Sequence, residues 1–204
     1  SAASDVYKRQ CMFFLILGCK YPAFNWDIIG YMASAYDIDG LSAPEISKII
    51  YSELKAVVPP EHYAKLIDGH YPYTVYSDPL SLQQQIPLYK IRIFYIQLMR
   101  LLHFFGITYS YSSYLISALF ASLSALILGL FLKRHHLPVI ILPLLMLLSG
   151  FKEISTFSTP DAMATFFSLV ALYFVSNNKT VTIVICLILP FIRTDYAILS
   201  FIIF

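Results

Sequence analysis

Apolar and polar positions alternate along this chain in long blocks. Cys11–Cys19 is apolar but too short to cross a bilayer by itself. Residues 20–86 are polar. Within them Ile46, Ile49, Ile50, Leu54 and Val57 recur at helical spacing and predict a helix over Ser42–Val58. Ser42 and Glu45 form a capping-box pair at its start, and Pro59-Pro60 ends it. A second short helix is expected at Glu61–Ile67, and Gly69–Pro79, rich in Tyr, Pro and Asp, reads as loop. Leu88–Phe105 mixes Lys90, Arg92, Arg100 and His103 with Ile, Phe, Tyr and Leu, which fits a membrane span or a helix lying in the interface.

The remainder is mostly apolar. Ser113–Leu132 is an uninterrupted span closed by Lys133-Arg134-His135-His136. Leu137–Phe151 is a second apolar run with an expected kink at Pro143, and Ser158–Ser176 is a third. Val181–Ile192 begins a fourth, interrupted by Pro190 and Arg193-Thr194-Asp195; Tyr196–Phe204 either continues it or starts another helix. The pattern predicts an all-α fold, a polytopic transmembrane helical bundle with a long outer loop carrying amphipathic juxtamembrane helices.

Composition agrees. Mean hydropathy is +0.70 and charged residues make up 13%, against about 25% in soluble domains. The formal charge of +2 and the scattered basic residues exclude a nucleic-acid partner. Cys11, Cys19 and Cys186 show no disulfide or zinc spacing. Asp5-Val6-Tyr7-Lys8-Arg9-Gln10 reads as the translation of a transposon end used in sequencing libraries, so residues 1–10 are set aside as adapter-derived. Residues 11–204 are then expected to be the N-terminal part of a transmembrane domain in a longer protein. Residues 11–19 would end its first helix, 20–112 form the outer loop, and 113–204 supply transmembrane helices.

Charge sets the expected orientation. The Lys133–His136 cluster and Lys179 belong in the cytoplasm by the positive-inside rule. Alternation then puts 150–157 and 193–195 outside. The loop 21–86, with eight acidic residues and three lysines, lies on that same side only if Leu88–Phe105 does not cross, which favours the interfacial helix.

Three places could carry chemistry. Asp27 follows Trp26 and precedes Tyr31 by four positions, so on a helix the two share a face. A carboxylate partly withdrawn from water can serve as a general base; the plain alternative is a helix-start Asp beside an interfacial Trp. Asp161, with Lys152 and Glu153 upstream, opens the run 162–175, where it could be only a helix-dipole partner. Arg193 and Asp195 lie mid-bilayer if 181–204 is one helix. If two helices meet there, they lie at the surface, where Arg193 could grip a phosphate. Asp37, Asp39, Asp68 and Asp78 are oxygen ligands without diagnostic spacing, and His62 and His70 form no zinc pattern. The sequon Asn178-Lys179-Thr180 falls in an expected cytoplasmic loop.

The layout resembles the N-terminal part of the C-type (GT-C) glycosyltransferases, which include the dolichyl-phosphate-mannose–protein mannosyltransferases and the bacterial aminoarabinose lipid A transferases. The resemblance rests on Trp26-Asp27 and Tyr31 opening the loop and on Ile86-Pro87-Leu88-Tyr89 with a helix ending Phe104-Phe105-Gly106 closing it. It rests further on Ser158-Thr159-Pro160-Asp161-Ala162 opening one helix and Ile192-Arg193-Thr194-Asp195 closing another. It implies an inverting transferase in a bacterial inner (plasma) membrane that moves a sugar from a polyprenyl-phosphate donor to an acceptor at the outer face. Asp27 would activate the acceptor. Tyr31, Asp161 and Asp195 would shape the site, and Lys152 and Arg193 would face the donor phosphate. A divalent cation at Asp161 is compatible with this. Many relatives carry a tandem acidic pair where this chain has Asp27 between Trp26 and Ile28. The competing classes are a multi-spanning transporter or permease, which the ionisable-free spans disfavour, and a non-catalytic membrane scaffold.

Overall fold

The computed structural model describes residues 2–203, leaving Ser1 and Phe204 outside, and with them the ends of the expected adapter segment and last helix. Every regular element among the described residues is helical. In chain order these are α1 (Ala2–Lys20), α2 (Asp27–Ile38), α3 (Ala43–Val57), α4 (Pro60–Ile67), α5 (His70–Ser77), α6 (Pro79–Lys90), α7 (Ile93–Phe104) and α8 (Tyr109–Arg134). They continue with a 3-10 turn (Val139–Ile141), α9 (Leu142–Leu148), α10 (Phe151–Thr156), α11 (Asp161–Phe174), α12 (Lys179–Ile192) and α13 (Tyr196–Ile203). The chain divides into an apolar unit, 1–23 with 114–204, and a unit inserted into it, 24–113.

The inserted unit is built on α2. Its residues Ile28 to Tyr36 are all buried, as expected of a helix with apolar side chains on every face. α3, α6 and α7 pack around it. α3 turns Ile46, Ile50 and Leu54 inward, as its spacing predicts, whereas Val57 is exposed. The Ser42 backbone N–H donates to the Glu45 carboxylate at 2.9 Å, completing the predicted capping box. The one polar side chain in the middle of α2, Ser34, donates its hydroxyl to the Gly30 carbonyl at 2.8 Å.

The end of α2 carries Asp37 and Asp39, which face the negative pole of the helix dipole. Cations offset them. Lys90 reaches Asp37 at 2.6 Å. Arg100 donates Nε and Nη2 to Asp39 at 3.0 and 2.7 Å, and the Tyr109 hydroxyl donates to Asp39 at 2.6 Å. Glu53 accepts from the Ser110 backbone N–H at 3.0 Å, placing an anion at the first turn of α8, and from the Tyr36 hydroxyl at 3.1 Å.

Two expectations change here. The stretch 69–79 is not a loop but contains α5, because Gly69, at φ 92, makes the entry turn and Pro72 sits in the first turn, where its missing N–H costs nothing. The expected helix Leu88–Phe105 is broken at Ile91–Arg92. Its second part, α7, has 12 residues, or about 18 Å, short of a hydrocarbon core of about 30 Å.

In the apolar unit α8 is the one described helix long and apolar enough to cross a membrane. The other expected spans are shorter. Pro143 occupies the first turn of α9 instead of kinking a longer helix, and Gly150, at φ 71, separates α9 from α10. α11 and α12 have 14 residues each. They form a hairpin around Ala171, Ile185, Cys186 and Leu189. At one end of the unit Arg134 donates to the Tyr173 carbonyl (2.6 Å), Ser176 Oγ (2.8 Å) and Asn177 Oδ1 (2.6 Å), satisfying the end of α11. Asn178 caps α12 through Val181 N at 3.1 Å, so the sequon asparagine has a structural role. At the other end Ser117 Oγ donates to the Thr159 carbonyl at 3.1 Å, and Ala23 N donates to the Thr156 carbonyl at 3.0 Å.

α1 passes the Ser155 carbonyl and the Ala118 methyl at Gly18, where a Cβ would overlap both. Gly18→Ala is therefore expected to lower stability by about 1–3 kcal/mol through overpacking, read as a reduced thermal midpoint of the solubilised protein.

Candidate functional site

Asp27 opens α2, and its two oxygens have separate neutral donors. Asn25 Nδ2 donates to Oδ2 and the Tyr89 hydroxyl to Oδ1, each at 2.9 Å. Among the described residues it has no ion-pair partner. Tyr89 comes from the last turn of α6, 62 positions away. It lies against α2 where residue 30 is glycine; a Cβ there would penetrate the Tyr89 ring. Tyr31 braces the ring from below, edge-on at a centroid distance of 4.9 Å, and Tyr95 braces Tyr31 at 4.8 Å. Arg92, at the α6–α7 break, stands over the Tyr31 and Tyr89 rings at 5.8 and 5.6 Å. Trp26 packs on Tyr71 at 4.9 Å and lies 6.4 Å from Tyr89.

Tyr31 therefore differs from expectation. It shares the helix with Asp27, but it is 2% exposed and packs beneath Tyr89. Tyr89 and Asn25 were not among the expected site residues. Tyr89 stands in the Ile86-Pro87-Leu88-Tyr89 segment, and only its fold-dependent contact with Asp27 gives it a role.

The surrounding phenols are held neutral. Burial pushes Tyr31 and Tyr89 well above the ordinary tyrosine range; the Asp27 charge adds to this for both, the Arg92 cation opposing it. Burial also raises Tyr71, with the Asp27 charge as the second cause. Tyr36 and Tyr51 are raised by burial first. These hydroxyls are donors throughout the physiological range.

In the apolar unit Asp161, Arg193 and Asp195 come together. Arg193 Nη1 pairs with Asp161 Oδ1, and Nε donates to both Asp195 oxygens at 2.9 and 3.1 Å. Thr159 Oγ1 donates to Asp161 Oδ2 at 2.9 Å, fixing the carboxylate at the first turn of α11. Arg193 lies in the turn between α12 and α13, so of the two alternatives the chain adopts two helices. The guanidinium is already bridged by two carboxylates, so a phosphate ligand would have to compete with them. Lys152 is apart from this group. It is exposed on α10 and borders an apolar cavity of ≈ 460 Å³ with Phe13, Phe14, Pro143 and Leu147.

The remaining candidate ligands have structural roles. Asp37 and Asp39 are paired with Lys90 and Arg100, Asp78 caps α6, and Asp68 accepts from Gly69 N. His62 packs on Phe24 at 5.3 Å. Among the described residues no group of three or more His, Cys, Asp or Glu is arranged to hold a metal.

The raised phenols set an alkaline limit. A group whose folded pKa exceeds its unfolded value of about 10 stabilises the fold fully below that pH, and the contribution is lost as pH rises through the folded value. Phenolate absorbance is expected to show Tyr31, Tyr36, Tyr51 and Tyr89 silent at pH 10 and ionising only as the inserted unit opens at higher pH. A full complement of phenolate at pH 10 in the folded protein would contradict this burial.

Comparison with protein-family models, with curated proteins and with solved structures finds no match for this chain.

Proposed function

We propose that this chain belongs to a multi-pass membrane glycosyltransferase of the C type, which moves a sugar from a polyprenyl-phosphate donor to an acceptor hydroxyl at the outer face. One observation carries the proposal: the segments on which the resemblance rests meet in pairs. Trp26-Asp27 meets Ile86-Pro87-Leu88-Tyr89 through the Tyr89–Asp27 hydrogen bond. Ser158–Ala162 meets Ile192–Asp195 through the Arg193–Asp161 ion pair.

The bilayer setting is supported by α8 and by the outward faces of α12 and α13. There Leu187, Phe191, Ile198, Phe201 and Ile202 are more than half exposed, an apolar surface poorly suited to water. In the apolar unit, Asp161 and Asp195 lie at the end opposite Arg134 and Lys179, the segregation expected of outer and cytoplasmic ends. The transporter reading loses its best feature, since Arg193 and Asp195 lie in a turn and not within a helix.

In this mechanism Asp27, carrying hydrogen bonds from neutral groups and no paired cation, takes the proton of the acceptor hydroxyl. That oxygen attacks the anomeric carbon of the donor from the side opposite the leaving group. The bond to the polyprenyl phosphate breaks, and the phosphate departs with the electron pair.

Asp27→Asn keeps an oxygen for the Tyr89 hydroxyl while removing the charge. In the full-length protein it is expected to lower transfer from a polyprenyl-phosphate-linked donor by about 10²–10⁴-fold, with expression and insertion unchanged. Transfer at the original rate rejects Asp27 as the base. Orientation is tested by cysteine labelling with Cys11, Cys19 and Cys186 replaced. Ser77→Cys, exposed at the end of α5, should react with an impermeant reagent from outside, and His136→Cys only from the cytoplasm. Reaction of Ser77→Cys from the cytoplasm alone would place the acidic loop on the wrong side for this mechanism.

A further inference from the structure

We propose that the aromatic surface around Asp27 is a saccharide platform, so that the hydroxyl Asp27 receives belongs to a sugar ring. The role of Asp27 as base rests on the transferase reading; the binding does not. The surface is formed by Trp26 and Tyr71, with ring centroids 4.9 Å apart and planes inclined at 54°, and by Tyr89 behind them. Tyr71 is 46% exposed, so its ring is open to a ligand beside Trp26. Trp26 Nε1 is shielded from solvent and has no acceptor within the protein. A buried indole N–H ordinarily finds one, and a ligand oxygen entering beside Tyr71 would supply it.

The polar groups narrow the ligand class. Asp27 accepts one hydrogen bond on each oxygen, and an ionised carboxylate has about four acceptor sites, so each oxygen has room for a ligand hydroxyl. Two neighbouring hydroxyls on one ring match that spacing. Asp27 and Arg92 put one negative and one positive charge beside the same Tyr89 ring, the guanidinium 5.6 Å from its centroid, so the surface as a whole favours a neutral ligand over an ion of either sign. Direct contact between Trp26 and Tyr71 also leaves no slot for an ammonium group between them. What remains is a neutral polyhydroxylated ligand with one apolar face. A pyranose fits, with its C–H face on the aromatic rings and its hydroxyl edge towards Asp27 and the neutral Tyr89 phenol.

Trp26 is the only tryptophan in the chain, so its emission reports on this surface alone. The test uses the full protein in lipid nanodiscs or in a detergent without a sugar headgroup. It is titrated with neutral trisaccharides of glucose, mannose and N-acetylglucosamine, and separately with choline chloride. A saturable change in Trp26 emission is expected with at least one saccharide. Tyr71→Ala should weaken it about tenfold. Tyr73→Ala should leave it unchanged, because two positions along α5 turn the side chain to the opposite side. No saturable response to any of the three saccharides overturns the proposal. So does a response unaffected by Tyr71→Ala, or an equal response to choline. Saccharide binding by a full-length protein that transfers no sugar keeps the platform and rejects the transferase. Transfer to a non-sugar hydroxyl without saccharide binding keeps the transferase and rejects the platform.

Discussion

Tyr89 can lie on α2 and reach Asp27 because residue 30 has no side chain. A Cβ at that position would occupy the phenol ring. Once the ring is seated, Tyr31 braces it edge-on and is itself braced by Tyr95, Arg92 covers its face, and its hydroxyl holds one oxygen of Asp27. The contact joins the beginning of the inserted unit to a segment near its end. The α2–α6 packing and the placement of Asp27 therefore depend on the same close approach.

The two acidic centres differ in how their charge is held. Asp27 has only neutral donors, an amide and a phenol, so its negative charge is oriented but not cancelled. Asp161 is paired with a guanidinium that also binds Asp195. Two carboxylates whose surroundings separate their behaviour can take different roles in one protein, one accepting protons and one controlling a cation. The distinction comes from the partners each aspartate meets in the fold, since both are the first residue of a helix.

Signals that act over a few residues carry through to the fold. The capping box at Ser42, the inward Ile46, Ile50 and Leu54, the stop at Pro59 and the short helix after it all follow from spacing within a few residues. At Arg193 the sequence marks an interruption through Pro190 and a polar triplet but leaves one helix or two open, and the fold adopts two. Non-local effects were not legible. The Tyr- and Pro-rich stretch 70–77 is helical because Gly69 and Pro72 suit a helix start. Three of the basic residues of 88–105, the segment expected as a span or an interfacial helix, are engaged by Asp37, Asp39 and two aromatic rings. Tyr31 matched the expected face but sits beneath another ring. Tyr89 could not be assigned to Asp27 from sequence, since nothing in their separation brings them together.

Arg134 has a consequence for how such a chain is made. In a protein oriented by its positive charges, this residue helps decide which end of α8 stays behind during insertion. In the finished fold the same guanidinium closes the end of α11 through Tyr173, Ser176 and Asn177. In a chain inserted as proposed, the charge that orients α8 and the clasp that closes the hairpin would thus be one side chain. Neutralising it would confound misorientation with misassembly, whereas changes at Lys133, which lacks those contacts, would report on orientation alone.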